Sequence, residues 1–243
     1  MWWSNLFSKM SPASFFNFSF LPKYGPYFLK GIGYTLLLAV VSVLLAVIPA
    51  LLLAIMRLSK NKLVKGISGA YIAIFRSTPL LVQLSIIYFG LFGAITIPRI
   101  TILGFVDISR FTPGVVALAL NSSAYVAEIF RGGILAVDIG QTEASRSLGL
   151  TAWSTMKLVV LPQAIKNVLP ALANEIITMV KESSICSMLG MVELMFAAKT
   201  VASTTYISLG PYVVAAVIYF CINYPASKAI EAIERRMRRG DKQ

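Results

Sequence analysis

The stretch Asp138–Pro162, DIGQTEASRSLGLTAWSTMKLVVLP, is a compact polar segment set among long apolar runs, and its reading decides the rest. Asp138 is placed to cap a following helix, with Gln141 three residues on as its reciprocal partner. Gly149 after Leu148 ends that helix, and Thr151 caps the next. Ala144 and Leu148 lie four apart and give the short helix an apolar side, leaving Glu143 and Ser147 on another. Nothing flanking the segment reads as soluble. A membrane protein that displays such an element outside the bilayer offers it to another protein.

The chain has 243 residues, 57% of them hydrophobic and only 13% charged. A bilayer-spanning helix needs about 20 residues to cross a hydrocarbon core of about 30 Å. The uncharged runs Gly31–Met56, Ser77–Pro98 and Thr200–Ser227 hold 26, 22 and 28 residues. The composition therefore gives an all-α polytopic membrane protein rather than the buried helices of a soluble one. A net charge of +12 in a soluble chain would suggest nucleic acid; here it sets topology, and no nucleic-acid partner is expected. Cys186 and Cys221 lie in apolar surroundings without ligand spacing, and histidine is absent, so neither a metal site nor a disulfide framework is expected. The methionines Met156, Met179, Met188, Met191 and Met195 read as packing filler.

In chain order, residues 1–26 read as an interfacial arm, with Phe15, Phe16, Phe18 and Phe20 at headgroup depth. Residues 27–232 form the membrane domain. The first span, Tyr27–Met56, ends at Arg57, Lys60, Lys62 and Lys65. The second apolar run, Leu63–Gly93, is interrupted at Arg76–Pro79, where Pro79 removes an amide donor and pushes its predecessor out of helical geometry. Ile95–Arg110 is a loop with a short element on the far side. The third span runs from about Pro113 to Phe130 and carries Asn121, Tyr125 and Glu128 on one stripe. The fourth, Asn167–Gly190, carries Asn174, Thr178 and Lys181 on one stripe and Glu175 and Glu182 on its neighbour. A short helix and loop over 191–208 lead to the fifth span, Leu209–Ser227. Residues 228–243 read as a basic cytoplasmic helix, the tail proper being 233–243.

Five spans with the C-terminus inside put 14 Lys and Arg on the inner segments and 6 on the outer, with Arg76 and Lys181 at a break or within a span. That bias predicts an outside N-terminus and a cytoplasmic C-terminus, and places the 138–162 segment in the cytoplasm.

The letters of that segment carry a resemblance. Glu143-Ala144-Ser145, then Gly149, then Val159 and Leu161-Pro162 resemble the EAA-type motif of ABC importer permeases, with Ser145 where many relatives have Ala and Val159 in place of Ile. Phe75-Arg76-Ser77-Thr78-Pro79-Leu80-Leu81-Val82-Gln83 and Ala127-Glu128-Ile129-Phe130-Arg131-Gly132-Gly133-Ile134 are similar to phrases of the polar amino-acid uptake branch, the histidine, glutamine, arginine and lysine permeases. The resemblance covers about Tyr27 to Ala232. It implies a type I importer permease fold with five transmembrane helices in a bacterial cytoplasmic membrane, inner or plasma. It implies a second permease subunit, the same chain or a sister, two cytoplasmic ATP-binding subunits that hold ATP and Mg, and an extracellular or periplasmic solute-binding protein. The helix around Glu143–Leu148 would sit in a groove of the ATPase subunit, Gly149 giving the sharp turn. Asp138, Glu143, Ala144, Ser145, Leu148, Gly149, Leu161 and Pro162 are then the coupling residues. This chain has no Gly-rich phosphate loop and so is not the ATPase itself; it performs no covalent chemistry and binds no cofactor.

Charges deep in lipid cost several kcal/mol, roughly 2.5–3.5 for Lys or Asp at mid-membrane, so polar groups in the third and fourth spans should face protein or water. Asn121, Tyr125, Asn174, Glu175, Thr178 and Lys181 are the expected substrate pathway. Lys181 would meet an α-carboxylate, and Glu175 an α-amine or a cationic side chain. Arg76 and Pro79 hold the helix break; Glu128 and Arg131, three apart, form a gate or a structural pair. Arginine, lysine, histidine, glutamine and glutamate all fit. The rival functions are an ion-gradient-driven secondary transporter, which would show inverted repeats with broken helices, and a non-transporting membrane scaffold.

Overall fold

The structure, a computed structural model, describes residues 17–239. The interfacial arm expected over 1–26 thus lies mainly outside the described residues, and its last turn is already helical. Helix α1 (Leu21–Leu58) starts with Pro22 in its first turn, where a missing amide costs nothing. One face of α1 carries Ala39, Val43, Ala46, Ala50 and Ala54, all buried, while Leu44, Leu45, Ile48, Leu51, Leu52 and Ile55 are exposed. Small residues let a neighbouring helix approach closely, and the large ones point away from the bundle.

Asn61 caps α2 (Lys62–Ser77), its side chain accepting from the Leu63 and Val64 amides. At Thr78–Pro79 the chain bends by 104° into α3 (Leu80–Ser85) and a π-helical turn, Ile86–Leu91, so the second apolar run is split into two helical pieces, as expected from Pro79. A two-residue antiparallel ladder pairs β1 (Thr101–Ile102) with β2 (Val106–Asp107). Asp107 then caps α4 (Ile108–Leu135) by accepting from the Ser109 amide, and the Ser109 hydroxyl also bonded to it holds its carboxyl below the usual range. The polar segment folds as α5 (Ile139–Ser147) and α6 (Ala152–Thr155). A second π turn, Met156–Val160, runs into α7 (Leu161–Glu182), which tightens to a 3-10 turn over Ser183–Leu189. Helix α8 (Leu194–Thr205) precedes α9 (Gly210–Arg239), which carries the fifth span and the basic tail as one continuous helix.

Among the described residues four helices are long and apolar enough to cross a membrane singly, and the count is five where the bent α2–α3 pair is taken as one span. Helix α1 packs along α4, and α4 packs on α7. Their shared core is built from Tyr34, Leu38, Val43, Leu118 and Met179, joined by Leu84 of α3. A second cluster, including Phe20, Phe28, Leu194 and Val201, fastens α8 to the start of α1. There the backbones nearly touch, for a Cβ on Gly31 would lie 2.9 Å from the Leu194 Cα.

Candidate functional site

The 138–162 segment is a helical hairpin at the end of the bundle where α4 finishes. Asp138 caps α5 as expected, its Oδ1 accepting from the Gly140 amide at 2.7 Å. The reciprocal bond expected from Gln141 is not made. The Gln141 side chain instead accepts from Gln163 of α7 at 3.5 Å, tying the hairpin to the fourth span. Gly149 has φ +84°, the left-handed conformation that glycine adopts without a steric penalty, and the hairpin turns there. Thr151 caps α6 by accepting from the Ser154 amide at 3.1 Å. Ser145 turns inward and is buried, whereas Leu148 is 85% and Trp153 73% exposed. The apolar side made by Ala144 and Leu148 is exposed, and Trp153, which sequence reasoning did not single out, projects as well. A cleft of about 590 Å³ lies between the hairpin and the end of α4, lined by Ile134, Val137, Thr142, Arg146, Thr155 and Met156 among others.

The helix break is closed by Gln83. Its Nε2 donates to the Phe75 carbonyl at 2.8 Å, the Thr78 carbonyl at 3.0 Å and the Thr78 hydroxyl at 2.8 Å. Its Oε1 accepts from Asn121 Nδ2 of α4 at 2.8 Å, so Asn121 locks the break onto the bundle. Sequence reasoning quoted Gln83 within a phrase and gave it no role, because its partners are carbonyls freed only by the bend.

Of the expected pathway residues, Glu175 faces the interior, with Oε1 accepting from the Ser122 hydroxyl of α4 at 2.8 Å. Asn174 and Lys181 lie exposed on another side of α7, and Thr178 is half-buried. The four do not form a single cluster. Tyr125 lies under the Arg76 guanidinium, 5.3 Å from ring centroid to Cζ. Glu128 accepts from Arg131 Nη2 at 2.7 Å and Nε at 2.9 Å, and its other oxygen lies 3.6 Å from Arg57 Nε of α1. Arg57 is the member of this group that sequence reasoning placed only in a topology count.

A further polar junction lies at the opposite end of α4. Glu193, fully buried, caps α8 by accepting from the Met195 and Phe196 amides at 2.8 and 2.6 Å, and from the Tyr219 hydroxyl of α9 at 3.0 Å. The Leu194 amide donates to Thr35 Oγ1 of α1 at 3.1 Å. Burial pushes the Glu193 carboxyl up to about 7. Glutamate is an uncommon helix cap, so nothing in the local sequence marks it.

Residues 42–239 match the family model described as a binding-protein-dependent transport system inner membrane component. The chain belongs to this family. It is similar to the arginine transport system permease protein ArtQ of Bacillus subtilis (strain 168), 40% identical over 216 residues, 89% of this chain and 94% of that one. It is also similar to the putative glutamine transport system permease protein GlnP of Rickettsia typhi (strain ATCC VR-144 / Wilmington), 41% identical over 211 residues, covering 87% and 93%. The crystal structure of an amino acid ABC transporter with histidines superposes with a TM-score of 0.81 at 45% identity, over 90% of this chain and 98% of that one. An inward-facing MetNI methionine ABC transporter shares the fold, with a TM-score of 0.62 at 20% identity, over 84% and 95%. The chain is thus an ABC importer permease of the polar amino-acid uptake family, a multi-pass bacterial membrane protein and a transport subunit rather than an ATPase. Among the described residues no group of three His, Cys, Asp or Glu could hold a metal ion.

Proposed function

We propose that this subunit carries a polar amino acid across the cytoplasmic membrane, driven by cytoplasmic ATPase subunits that grip the 138–162 hairpin. The observation that carries the reading is the hairpin itself: an EAA-type sequence, turned at a left-handed Gly149, that holds Leu148 and Trp153 out to solvent. Exposed apolar side chains on a rigid turn are anchors for a partner's groove. The likeness to the arginine and glutamine permeases supports a polar amino acid as cargo. Two copies of this permease, or this chain and a sister, enclose the path, and an external binding protein delivers the solute.

The pathway is assigned to Asn121, Tyr125, Asn174, Glu175, Thr178 and Lys181 of α4 and α7. Glu175 is the group best suited to a cationic side chain, being a buried carboxylate whose described side-chain partner is the neutral Ser122. Hairpin and C-terminus lie in the cytoplasm and the N-terminus outside. The test is ATP-driven uptake by the reconstituted assembly of permease, ATPase and binding protein. Uptake of arginine or glutamine that requires all three supports the proposal, and uptake that survives loss of the ATPase overturns it.

A further inference from the structure

Among the described residues Leu103 and Tyr206 are the two, glycines apart, that take a left-handed backbone, at φ +54° and +57°. That conformation carries a steric penalty for any residue with a Cβ and is an outlier for a bulky one. Leu103 stands in the turn that joins β1 to β2, where the Phe105 amide donates to the Ile102 carbonyl at 3.3 Å and Gly104 follows at φ +71°. A turn with both central residues at positive φ favours Asn-Gly. Tyr206 ends α8 as a left-handed cap, a place usually held by glycine or asparagine. Both positions thus hold a large side chain where a smaller residue would suit the backbone better.

Packing within the subunit offsets little of this strain, for Leu103 is 69% and Tyr206 91% exposed. Strain that the fold itself does not reward points to a role outside the fold. Both residues lie at the end of the bundle opposite the hairpin, near the first turns of α1. A Cβ on Gly33 of α1 would lie 3.1 Å from the ring of Phe105 in the β1–β2 connection, and Ile207, next to Tyr206, packs with the cluster that holds Phe20 and Phe28. Beside the turn lies a recess of about 300 Å³ lined by Pro26, Tyr27, Lys30, Gly104, Phe105 and Val192, so this face sets a hollow next to a knob. Lys23, Lys30, Arg99, Arg110 and Lys199 are exposed at this end, whereas the acids Asp107, Glu182 and Glu193 are buried or half-buried. The face is cationic with apolar projections.

We propose that Leu103 and Tyr206 are anchors for the solute-binding protein, entering apolar recesses on a docking face with an acidic rim. The choice of partner rests on the transport reading above, on a family described as binding-protein-dependent and on the topology that leaves this end outside; the strain and the exposure do not. Tyrosine is enriched among the residues that carry most of an interface's binding energy. A cationic face steers an acidic partner and fixes its register. Lipid accepts an apolar side chain in any backbone conformation, so contact with lipid gives no reason to hold Leu and Tyr in left-handed turns. A partner's recess does, because it reads where a rigid turn points the side chain.

The test uses the complete permease–ATPase assembly in nanodiscs, titrated with purified, dye-labelled solute-binding proteins loaded with arginine or glutamine. Asparagine suits a left-handed backbone, so Leu103→Asn and Tyr206→Asn should keep or raise the melting temperature of the permease. Each should nevertheless weaken binding about tenfold or more. Leu103→Met and Tyr206→Phe keep the apolar bulk and should retain most of the affinity, while Glu231→Gln on the tail at the other end leaves it unchanged. Binding unaltered by both asparagine substitutions overturns the anchors, as does a wild-type assembly that retains none of the probes. A melting temperature that drops together with affinity overturns them too, since both residues would then be supports of the fold. Loss of permease pairing, read by native mass spectrometry, would put a second copy on this face and has the same consequence. ATP-driven uptake by the same assemblies in liposomes separates the two readings. Uptake that needs the binding protein but ignores both substitutions sinks the anchors alone, and binding through Leu103 and Tyr206 without ATP-driven uptake sinks the transport reading alone.

Discussion

At the scale of single residues, the groups that matter most are those whose partners lie far along the chain. Gln83 offers two amide hydrogens to a helix break and an oxygen to Asn121, so Gln83→Leu, close in volume, leaves the Phe75 and Thr78 carbonyls and the Asn121 amide short of partners. The expected loss is roughly 1–3 kcal/mol of stability, read as a lower melting temperature of the purified permease in detergent. Glu193 gives a prediction of the opposite chemical kind. Its carboxyl in the fold is raised to about 7, above the ordinary carboxylate value, so the folded state holds a proton that the unfolded chain releases. Stability from this group is present at pH near 4.5 and is lost as pH rises to about 7, because the buried charge must then be borne by two amides and the Tyr219 and Thr35 hydroxyls. A melting series from pH 5 to 8 should fall with pH more steeply for the native protein than for Glu193→Gln, whose amide keeps a capping oxygen and does not ionise. Parallel curves would contradict the assignment. Neither residue was legible in the sequence: Gln83 sat inside a recognisable phrase without a role, and Glu193 lay unremarked in the short helix and loop expected over 191–208.

Helical elements were far more legible, and for a physical reason. Turn chemistry is local, so Asn121, Tyr125 and Glu128 fell on one stripe, Pro79 marked the 104° bend, and Gly149 marked the turn it makes at φ +84°. What failed were inferences needing a tertiary partner. The reciprocal cap expected between Asp138 and Gln141 is absent because Gln141 meets Gln163 instead, and the two π turns at 86–91 and 156–160 leave no mark on hydrophobic spacing. The hairpin element carries its own prediction. An alanine at 149 must take a left-handed conformation that costs roughly 1–2 kcal/mol for a residue with a Cβ, and a proline cannot take it at all. Proline would also remove the amide that donates to the Arg146 carbonyl at 3.0 Å. Gly149→Ala should therefore weaken, and Gly149→Pro abolish, substrate-stimulated ATP hydrolysis, while the membrane bundle stays intact by its melting curve. The ATPase copurifying with Gly149→Pro at unchanged coupling would remove the hairpin from the mechanism.

For the molecule as a whole, the argument concerns which way the bundle lies in the membrane. Fourteen Lys and Arg fall on one set of connections and six on the other, and short loops rich in cations stay on the cytoplasmic side during insertion. The structure adds that the crowded end is a single physical end. Glu128 of α4 pairs there with Arg57 of α1 and with Arg131 of its own helix, and the hairpin begins one turn beyond them, after Leu135. The opposite end carries the short β ladder with Arg99 beside it, and Arg110 donating to the Gly190 carbonyl at 2.9 Å. If the charge bias governs insertion, cysteines placed at the two ends must differ in their access to a reagent that cannot cross the bilayer. In a Cys221→Ser background, with Cys186 left buried, Arg99→Cys in intact spheroplasts should react with an impermeant maleimide. Lys62→Cys and Leu148→Cys should react only once the membrane is opened, Leu148 being so exposed that slow labelling cannot be blamed on burial. The reverse pattern would place the hairpin outside, beyond the reach of any ATP-driven partner, and the coupling mechanism would fail with it.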